Sequence, residues 1–191
     1  MPATTTVRLT IAILLGALAC GCHSAQHAVA PATSSSTAAS APPPVPPMAR
    51  IAPLPVRPVE KSQPTSPEKC PAINPAAPAP PEGVLVTCDL ARTTRYTLGP
   101  ETMRLGLTHV DAPKPLTADF FQVILTMDPA SETAWAAFTA AHLHAHIAFI
   151  RDDLVLEAPM IEDQVSSGQI ALTIQTAPAA AQLAQLAARP A

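Results

Sequence analysis

The chain has 191 residues, a net charge of −3, and only 13% charged and 3% aromatic residues. It contains no run of basic residues that would neutralise nucleic-acid phosphates, so its composition argues against a nucleic-acid partner. Its prolines are unevenly spread, because 16 of the 24 lie between Pro31 and Pro81. Trp135, Tyr96 and all four phenylalanines follow Gly83. The C-terminal part can therefore hold one ordinary hydrophobic core, but not a second.

The first 22 residues have the pattern of a lipoprotein signal peptide. Arg8 provides a positive charge before an apolar run over 9–18, which is too short for the ~30 Å core of a bilayer. Small residues directly before Cys20 and Cys22 resemble the lipobox of bacterial lipoproteins. We expect Cys22 or Cys20 to carry a lipid that holds the protein on the extracytoplasmic, periplasmic side of the cell membrane. The alternative is an ordinary secretory signal in which the cysteine is incidental.

Residues 23–82 are predicted to be a disordered tether rich in Pro, Ala and Ser. Prolines interrupt both helices and sheet ladders, and this segment shows no apolar periodicity. Ile51, Leu54 and Val56 are separated by prolines, which is more typical of an extended polyproline-type spacer than of a core. We therefore place the start of the folded domain at residue 83.

Two cysteines remain after the signal region. Export implies an oxidising compartment, so Cys70 and Cys88 are a candidate disulfide that would join the end of the tether to the first strand. If Cys22 is lipidated, Cys20 is removed with the signal peptide, and Cys70 and Cys88 remain as an even pair. If Cys20 is lipidated instead, Cys22 is an odd thiol. The alternative for Cys70 and Cys88 is two separate thiols, buried or free.

Residues 83–188 are predicted to form one small domain. Apolar alternation and β-rich composition predict strands over 84–90, 96–98, 121–127, 147–150, 154–156 and 170–174, with a loop-rich stretch from 99 to 116. Asp152-Asp153 predicts a two-residue hairpin turn, because Asp tolerates the positive φ that such turns require.

Two helices are predicted in the same region. Asp128 is a typical N-cap with proline after it, and the helix that it begins is predicted to extend to about residue 144. Trp135, Phe138 and His142 form an aromatic stripe on this helix. Thr176 caps a second helix, whose apolar face is Ala180, Leu183, Ala184 and Ala187. The predicted fold class is α+β, with a small antiparallel or mixed sheet and two helices on one face.

The hairpin resembles a motif in the periplasmic head of SecD, a subunit of the SecDF protein-export machinery. The matching residues are Ala148, Asp152, Val155, Ala158 and Pro159.

Other pieces match in the same order. Ser167-Gly168 stands where the family has two glycines, and Thr176 begins the helix that follows. Upstream, the segment 96–100 and the strand–helix pattern over 121–139 are also similar.

The resemblance implies the fold of the SecD head and a part in protein export without catalysis. Asp153 and Ser167 replace glycines of the family, so backbone strain is expected at both turns. SecD has several transmembrane helices that couple export to the proton gradient, whereas no segment after the signal has the length of a membrane span. The resemblance therefore implies a stand-alone head domain on a lipid tether.

No catalytic, cofactor-binding or metal site is predicted. His142, His144 and His146 form the most metal-like cluster, but they straddle a helix end and a strand start, which scatters their directions, whereas zinc needs converging ligands. Glu162-Asp163 has the composition of an acid–base pair, although adjacent carboxylates on a loop are usually only solvated. The chain contains no G-x-S-x-G, P-loop or G-x-G-x-x-G pattern.

We expect a binding module of the export pathway. Its partners would be membrane lipid, through the N-terminal cysteine, and exported polypeptides or translocon components. The alternative is a structural or scaffolding envelope lipoprotein that binds an unrelated partner, because a fold does not fix a function. An apolar groove or an open strand edge would favour polypeptide binding by strand addition, and a uniformly polar surface would favour the scaffold.

Overall fold

The computed structural model describes residues 50–74 and 77–191. The signal peptide predicted over 1–22, with Cys20 and Cys22, and the first part of the predicted tether lie outside the described residues. The described residues form ten strands, one 3-10 turn and two α-helices. In chain order these are β1 (Leu54–Pro64), the 3-10 turn (Pro67–Lys69), β2 (Leu85–Cys88), β3 (Thr94–Leu98), β4 (Met103–Leu105), β5 (Leu107–Val110), β6 (Lys114–Pro115), β7 (Phe121–Met127), α1 (Pro129–Ala141), β8 (Ile147–Arg151), β9 (Leu154–Glu157), β10 (Gln169–Ile174) and α2 (Ala177–Ala187).

The strand β1 is central to the fold, so the prediction of a tether up to residue 82 is wrong. It pairs with β3 and β4 and also with β8, all antiparallel. Its side chains Leu54 and Val56 are fully buried. Pro58 is tolerated in the strand because it contributes only its carbonyl oxygen, which accepts from the Gly99 N–H at 3.0 Å. The folded domain therefore begins near residue 50 rather than 83.

A buried arginine also fixes the end of the predicted tether to the core. Arg57, on β1, is only 3% exposed. Its guanidinium donates to the carbonyl oxygens of Pro80 at 2.9 Å, Gly83 at 2.6 Å and Gly99 at 3.1 Å. These bonds supply the acceptors that a buried cation requires, so the segment around Pro80 is part of the domain.

The first sheet has six strands in the order β2–β3–β1–β8–β9, with β4 also paired to β1. The predicted hairpin is confirmed: β8 and β9 pair antiparallel, and φ is 52° at Asp152 and 58° at Asp153. The sheet curls enough that Asp89, just after β2, forms a bridge with Val155 of β9. As a result β8 is buried along its whole length.

A second sheet was not predicted. Its strand order is β10–β7–β5, and β6 also pairs with β7. The stretch 99–116, predicted to be loop-rich, instead contains β4, β5 and β6. These strands have two to four residues, too few for an alternating pattern to stand out, and they depend on the edges of β1 and β7 for their hydrogen bonds.

Both predicted helices are present, and the α+β class is confirmed. The Asp128 side chain caps α1 by accepting from the Ser131 N–H at 2.7 Å, and Thr176 caps α2 by accepting from the Ala179 N–H at 3.3 Å. The helix α1 ends at Ala141 rather than near 144. One core cluster joins the two helices to both sheets; its members include Leu54, Val56, Leu125, Trp135, Phe149, Leu172, Ala180, Leu183 and Ala187.

Candidate functional site

The strand β9 ends the first sheet, apart from the bridge between Val155 and Asp89, and β10 ends the second sheet. The two strands approach each other without pairing. Within the described residues, β9 pairs along its length with β8 and β10 pairs with β7. A side chain links them: Glu157 Oε2 accepts from the Thr173 backbone N–H at 2.7 Å. We call the opening between residues 155–163 and residues 169–176 the interstrand gap.

The free edge of β10 carries backbone donors that point into the interstrand gap. The Thr173 N–H faces this edge, because it bonds Glu157 rather than β7. Alternate residues of an antiparallel strand direct their N–H groups to the same edge. The backbone N–H of Ala171 therefore also points into the interstrand gap. The Ala171 side chain is exposed. This edge has the geometry that an added strand would pair with.

A cavity of about 460 Å³ lies at one end of the interstrand gap, and we call it the Glu157 cavity. Residues 155–158 form one side and residues 173–176, at the start of α2, form the other. Tyr96 and the turn after β2 close a third side, and Phe120, which is 39% exposed, lies at the rim. Its ionisable lining groups are Asp89, Tyr96 and Glu157, so the described lining contains acids but no cation.

Burial changes the acid–base behaviour of these groups. Desolvation raises the pKa of Glu157 to about 7, although the hydrogen bond from the Thr173 N–H opposes the shift. Burial also raises the pKa of Tyr96, and the negative charges of Asp89 and Glu157 raise it further. In the described lining, no cation balances the negative charge of the Glu157 carboxylate.

A second cavity, of about 380 Å³, lies at the other end of the interstrand gap, and we call it the Trp135 cavity. Residues 159–163 and 169–171 form its sides, and Ile147 and Phe149 contribute apolar surface. Trp135 lines it and is 3% exposed, yet its Nε1–H has no acceptor in the described part of the chain. Buried indole N–H groups normally find a partner, so this unpaired donor is unusual.

Comparison with known proteins gives structural neighbours only. No family model matches the chain, and no curated protein matches it. One similar solved structure is of SecDF, described as a membrane component that enhances protein export, with a TM-score of 0.46 and 19% identity over 74% of this chain and 66% of that one. SecDF in its super-membrane-facing form gives the same TM-score and identity, with 19% of that chain covered. This chain thus spans less than two thirds of either neighbour.

The residues of the SecD-like hairpin motif are placed together, but mainly as framework. Ala148 and Val155 are fully buried in a second core cluster with Leu85, Leu98 and Ile150. Ala158 packs against that cluster, and the Pro159 carbonyl oxygen accepts from the Ile147 N–H at 3.1 Å. The motif therefore positions the strand that ends in Glu157.

The two turns with replaced glycines behave differently. Asp152 and Asp153 both have positive φ, as expected, whereas Ser167 does not. The left-handed residue of the second turn is Gly168, with φ 67°, so the expected strain at Ser167 is absent.

The predicted cysteine pair is present as a disulfide between Cys70 and Cys88, with 18 residues of sequence separation. It joins the segment before β2 to the end of that strand. In the part of the chain that the structure describes, no helix is long and apolar enough to cross a membrane.

The histidine cluster does not converge. His142 is the C-cap of α1; its Nδ1 lies 2.8 Å from the Phe138 carbonyl oxygen and its ring stacks on Phe138. His144 and His146 are exposed. Across residues 50–74 and 77–191, no three His, Cys, Asp or Glu side chains form a metal-ligand group. Glu162 and Asp163 are exposed on the loop that borders the Trp135 cavity.

Sequence reasoning did not identify Glu157, Thr173 or Trp135 as site residues. The one available signal was a glutamate that ends the apolar run 154–156 just before Ala158-Pro159. Its role becomes visible only when Thr173 and Tyr96, distant in sequence, are placed around it.

Proposed function

We propose that this protein is a non-catalytic module that binds extended segments of polypeptide in the interstrand gap and works in protein export. The observation that carries the proposal is the unpaired edge of β10, whose Thr173 N–H is held by the Glu157 side chain instead of by a strand. An extended segment that adds to this edge would supply backbone carbonyl oxygens to these donors, as in other cases of strand addition.

The two cavities support binding of a chain rather than of a small solute. They lie at opposite ends of the same strand edge, next to residues 169–171 and 173–175. Side chains of an added strand alternate between its two faces, so neighbouring pockets can take different residues.

The residue types that line the two cavities favour binding over catalysis. As the structure describes them, the linings of both cavities contain no serine, cysteine, lysine or histidine. Their hydroxyl groups belong to threonines and Tyr96, so we infer binding rather than chemistry by the commoner serine, cysteine or lysine nucleophiles.

The context of export rests on the sequence. The residues Ala148, Asp152, Val155, Ala158 and Pro159 resemble the SecD head motif, and the N-terminal pattern resembles a lipoprotein signal. A lipid on Cys22 or Cys20 would hold the domain at the extracytoplasmic face of the membrane, where exported polypeptides emerge.

Site-specific photocrosslinking in intact membranes tests the proposal. A photoreactive residue replaces Ala171 at the interstrand gap in the full-length protein, and Ala137, exposed on α1, provides the matched control. We expect unfolded exported chains or translocon components to crosslink from position 171 and not from 137. Crosslinks from 171 to a single folded envelope protein would favour the scaffold alternative, and equal crosslinking from both positions would contradict binding in the gap.

A further inference from the structure

We propose that the Glu157 cavity receives a lysine or arginine side chain of the bound polypeptide, so that the interstrand gap selects cationic segments over neutral and acidic ones. This inference rests on the proposed function and specifies its substrate class. It is carried by the shape of the cavity and by the unbalanced charge of the groups that line it.

The cavity has the size and composition for a long amphipathic cation. Its volume is about 460 Å³, and Tyr96, Phe120 and Leu156 provide surface against which an aliphatic stem or a guanidinium plane can pack. In the unbound protein Glu157 Oε2 accepts from the Thr173 N–H, and a carbonyl oxygen of the added strand would take its place. The released carboxylate can then accept a charge-assisted hydrogen bond from an ammonium or guanidinium group.

The described elements that line the Glu157 cavity bring no positive charge close to Glu157. The turn after β2 contributes Asp89, β3 contributes Tyr96, and the described parts of β9, β10 and α2 that line the cavity contribute only neutral residues besides Glu157. Both Asp89 oxygens accept hydrogen bonds from Thr93 or Thr94, which holds this carboxylate beside the cavity. A cationic side chain would therefore meet two acids and no cation.

The start of α2 also borders the cavity, and a helix N-terminus favours anions. Here that tendency is weakened, because Pro178 has no N–H and the Ala179 N–H is capped by Thr176. With Glu157 and Asp89 beside it, the helix end does not make the cavity an anion site.

The preference should depend on pH in a definite direction. Burial raises the pKa of Glu157 to about 7, so the carboxylate carries its charge above pH 7 and loses it below. A lysine on the peptide remains charged throughout this range. Selection for the cation should therefore be strong at pH 8 and weak at pH 5.5.

Fluorescence anisotropy with matched peptides tests the inference on the full-length protein in detergent. Three extended peptides alternate Val and Thr and differ only in a central Lys, Gln or Glu. We expect the Lys peptide to bind about tenfold more tightly than the Gln peptide at pH 8, the scale of a charge-assisted hydrogen bond, with the Glu peptide weakest. At pH 5.5 the preference for Lys should largely vanish.

Two variants test whether Glu157 causes the preference for the Lys peptide. Glu157→Gln keeps an oxygen that can accept from the Thr173 N–H but has no charge. Its preference for the Lys peptide should be only the small part due to Asp89, much weaker than in the wild type at pH 8. Glu82→Gln removes the same charge from an exposed residue outside the cavity and should leave the preference intact. Thermal unfolding of each variant verifies that it is folded.

The outcomes separate the two proposals. Binding of all three peptides with equal affinity at pH 8 would overturn the cationic selection while leaving strand addition in place. A lysine preference that is undiminished in Glu157→Gln would overturn the assignment to Glu157. If none of the peptides binds, the proposed function itself fails. Competition by free Nα-acetyl-lysine amide as strong as by the Lys peptide would show that the cavity takes a free amine rather than a polypeptide side chain.

Discussion

Glu157 makes the stability of the domain depend on pH. Its pKa is raised from 4.5 to about 7 in the folded protein, so folding is favoured when the group is protonated. This stabilisation is complete below about pH 4.5 and is lost as the pH rises through 7. Because the group is partly exposed, we expect a difference on the order of 1–2 kcal/mol between pH 5 and pH 8.

Urea unfolding at the two pH values measures this effect, with Glu157→Gln as the comparison. The variant should show a smaller change between pH 5 and pH 8 than the wild type. An identical pH dependence in the two proteins would mean that Glu157 does not titrate in the expected range.

Asp153 has a second role that the sequence does not reveal. From the sequence, Asp153→Gly is expected to stabilise the turn, because glycine adopts positive φ without strain. In the structure, Asp153 Oδ2 accepts from the Ala79 N–H at 3.0 Å, and loss of that bond costs about 1 kcal/mol. We therefore expect Asp153→Gly to be close to neutral and Asp153→Ala, which keeps the strain and loses the bond, to destabilise by about 1–2 kcal/mol. Denaturant midpoints decide this, and a wild-type midpoint for Asp153→Ala would contradict it.

Phe149 is the best single test of the core. It is 1% exposed, and its ring centroid lies 5.7 Å from that of Trp135. Phe149→Ala should cost roughly 3–5 kcal/mol of the free energy of unfolding, through lost burial and a residual cavity. Phe120→Ala, at an exposed phenylalanine, is the matched control and should cost much less. A loss for Phe149→Ala as small as that for Phe120→Ala would contradict the place of Phe149 in the core.

At the scale of elements, β1 determines where the domain begins. It occupies the centre of the first sheet, between β3 and β8, and Arg57 ties it to the segment around Pro80. A fragment that starts at residue 83 would lack this strand and leave β8 without its partner. We expect the 83–191 fragment to show no cooperative thermal unfolding, whereas a 50–191 fragment unfolds cooperatively. Similar melting of both fragments would restore the boundary predicted from the sequence.

The predicted and missed elements differ in how local their signals are. The hairpin β8–β9, both helices, β7 and β10 follow from apolar periodicity, caps and turn residues within each segment. In β1, by contrast, Pro55, Pro58 and Pro64 interrupt the alternation of apolar residues. This strand forms because it pairs with β3, β4 and β8, which are distant in sequence. The strands β4 to β6 are too short to show a period.

The candidate site could be predicted only in outline. The sequence indicates that the hairpin is central and that an open strand edge would matter. It does not indicate that Glu157 meets Thr173, or that Tyr96 and Asp89 close a cavity around it. These contacts depend on how the two sheets end beside each other, which no local pattern encodes.

At the scale of the whole molecule, attachment to the membrane remains a prediction from the N-terminal sequence. If Cys20 or Cys22 is lipidated, replacing both by serine should move the mature protein from the membrane to the soluble fraction. Fractionation followed by immunoblotting measures this, with Cys70→Ser/Cys88→Ser as the control pair. Continued membrane association of the double variant at 20 and 22 would contradict a lipid anchor.

The central claim is that a polypeptide adds to the free edge of β10. Amide hydrogen exchange, followed residue by residue by NMR with and without an unfolded, lysine-containing polypeptide, tests it most directly. We expect the Ala171 and Thr173 amides to exchange more slowly when the polypeptide is present, while the Leu125 amide, in the adjoining strand β7, is unchanged. Unaltered exchange at Ala171 and Thr173 in the presence of a polypeptide shown to be bound would contradict strand addition at this edge.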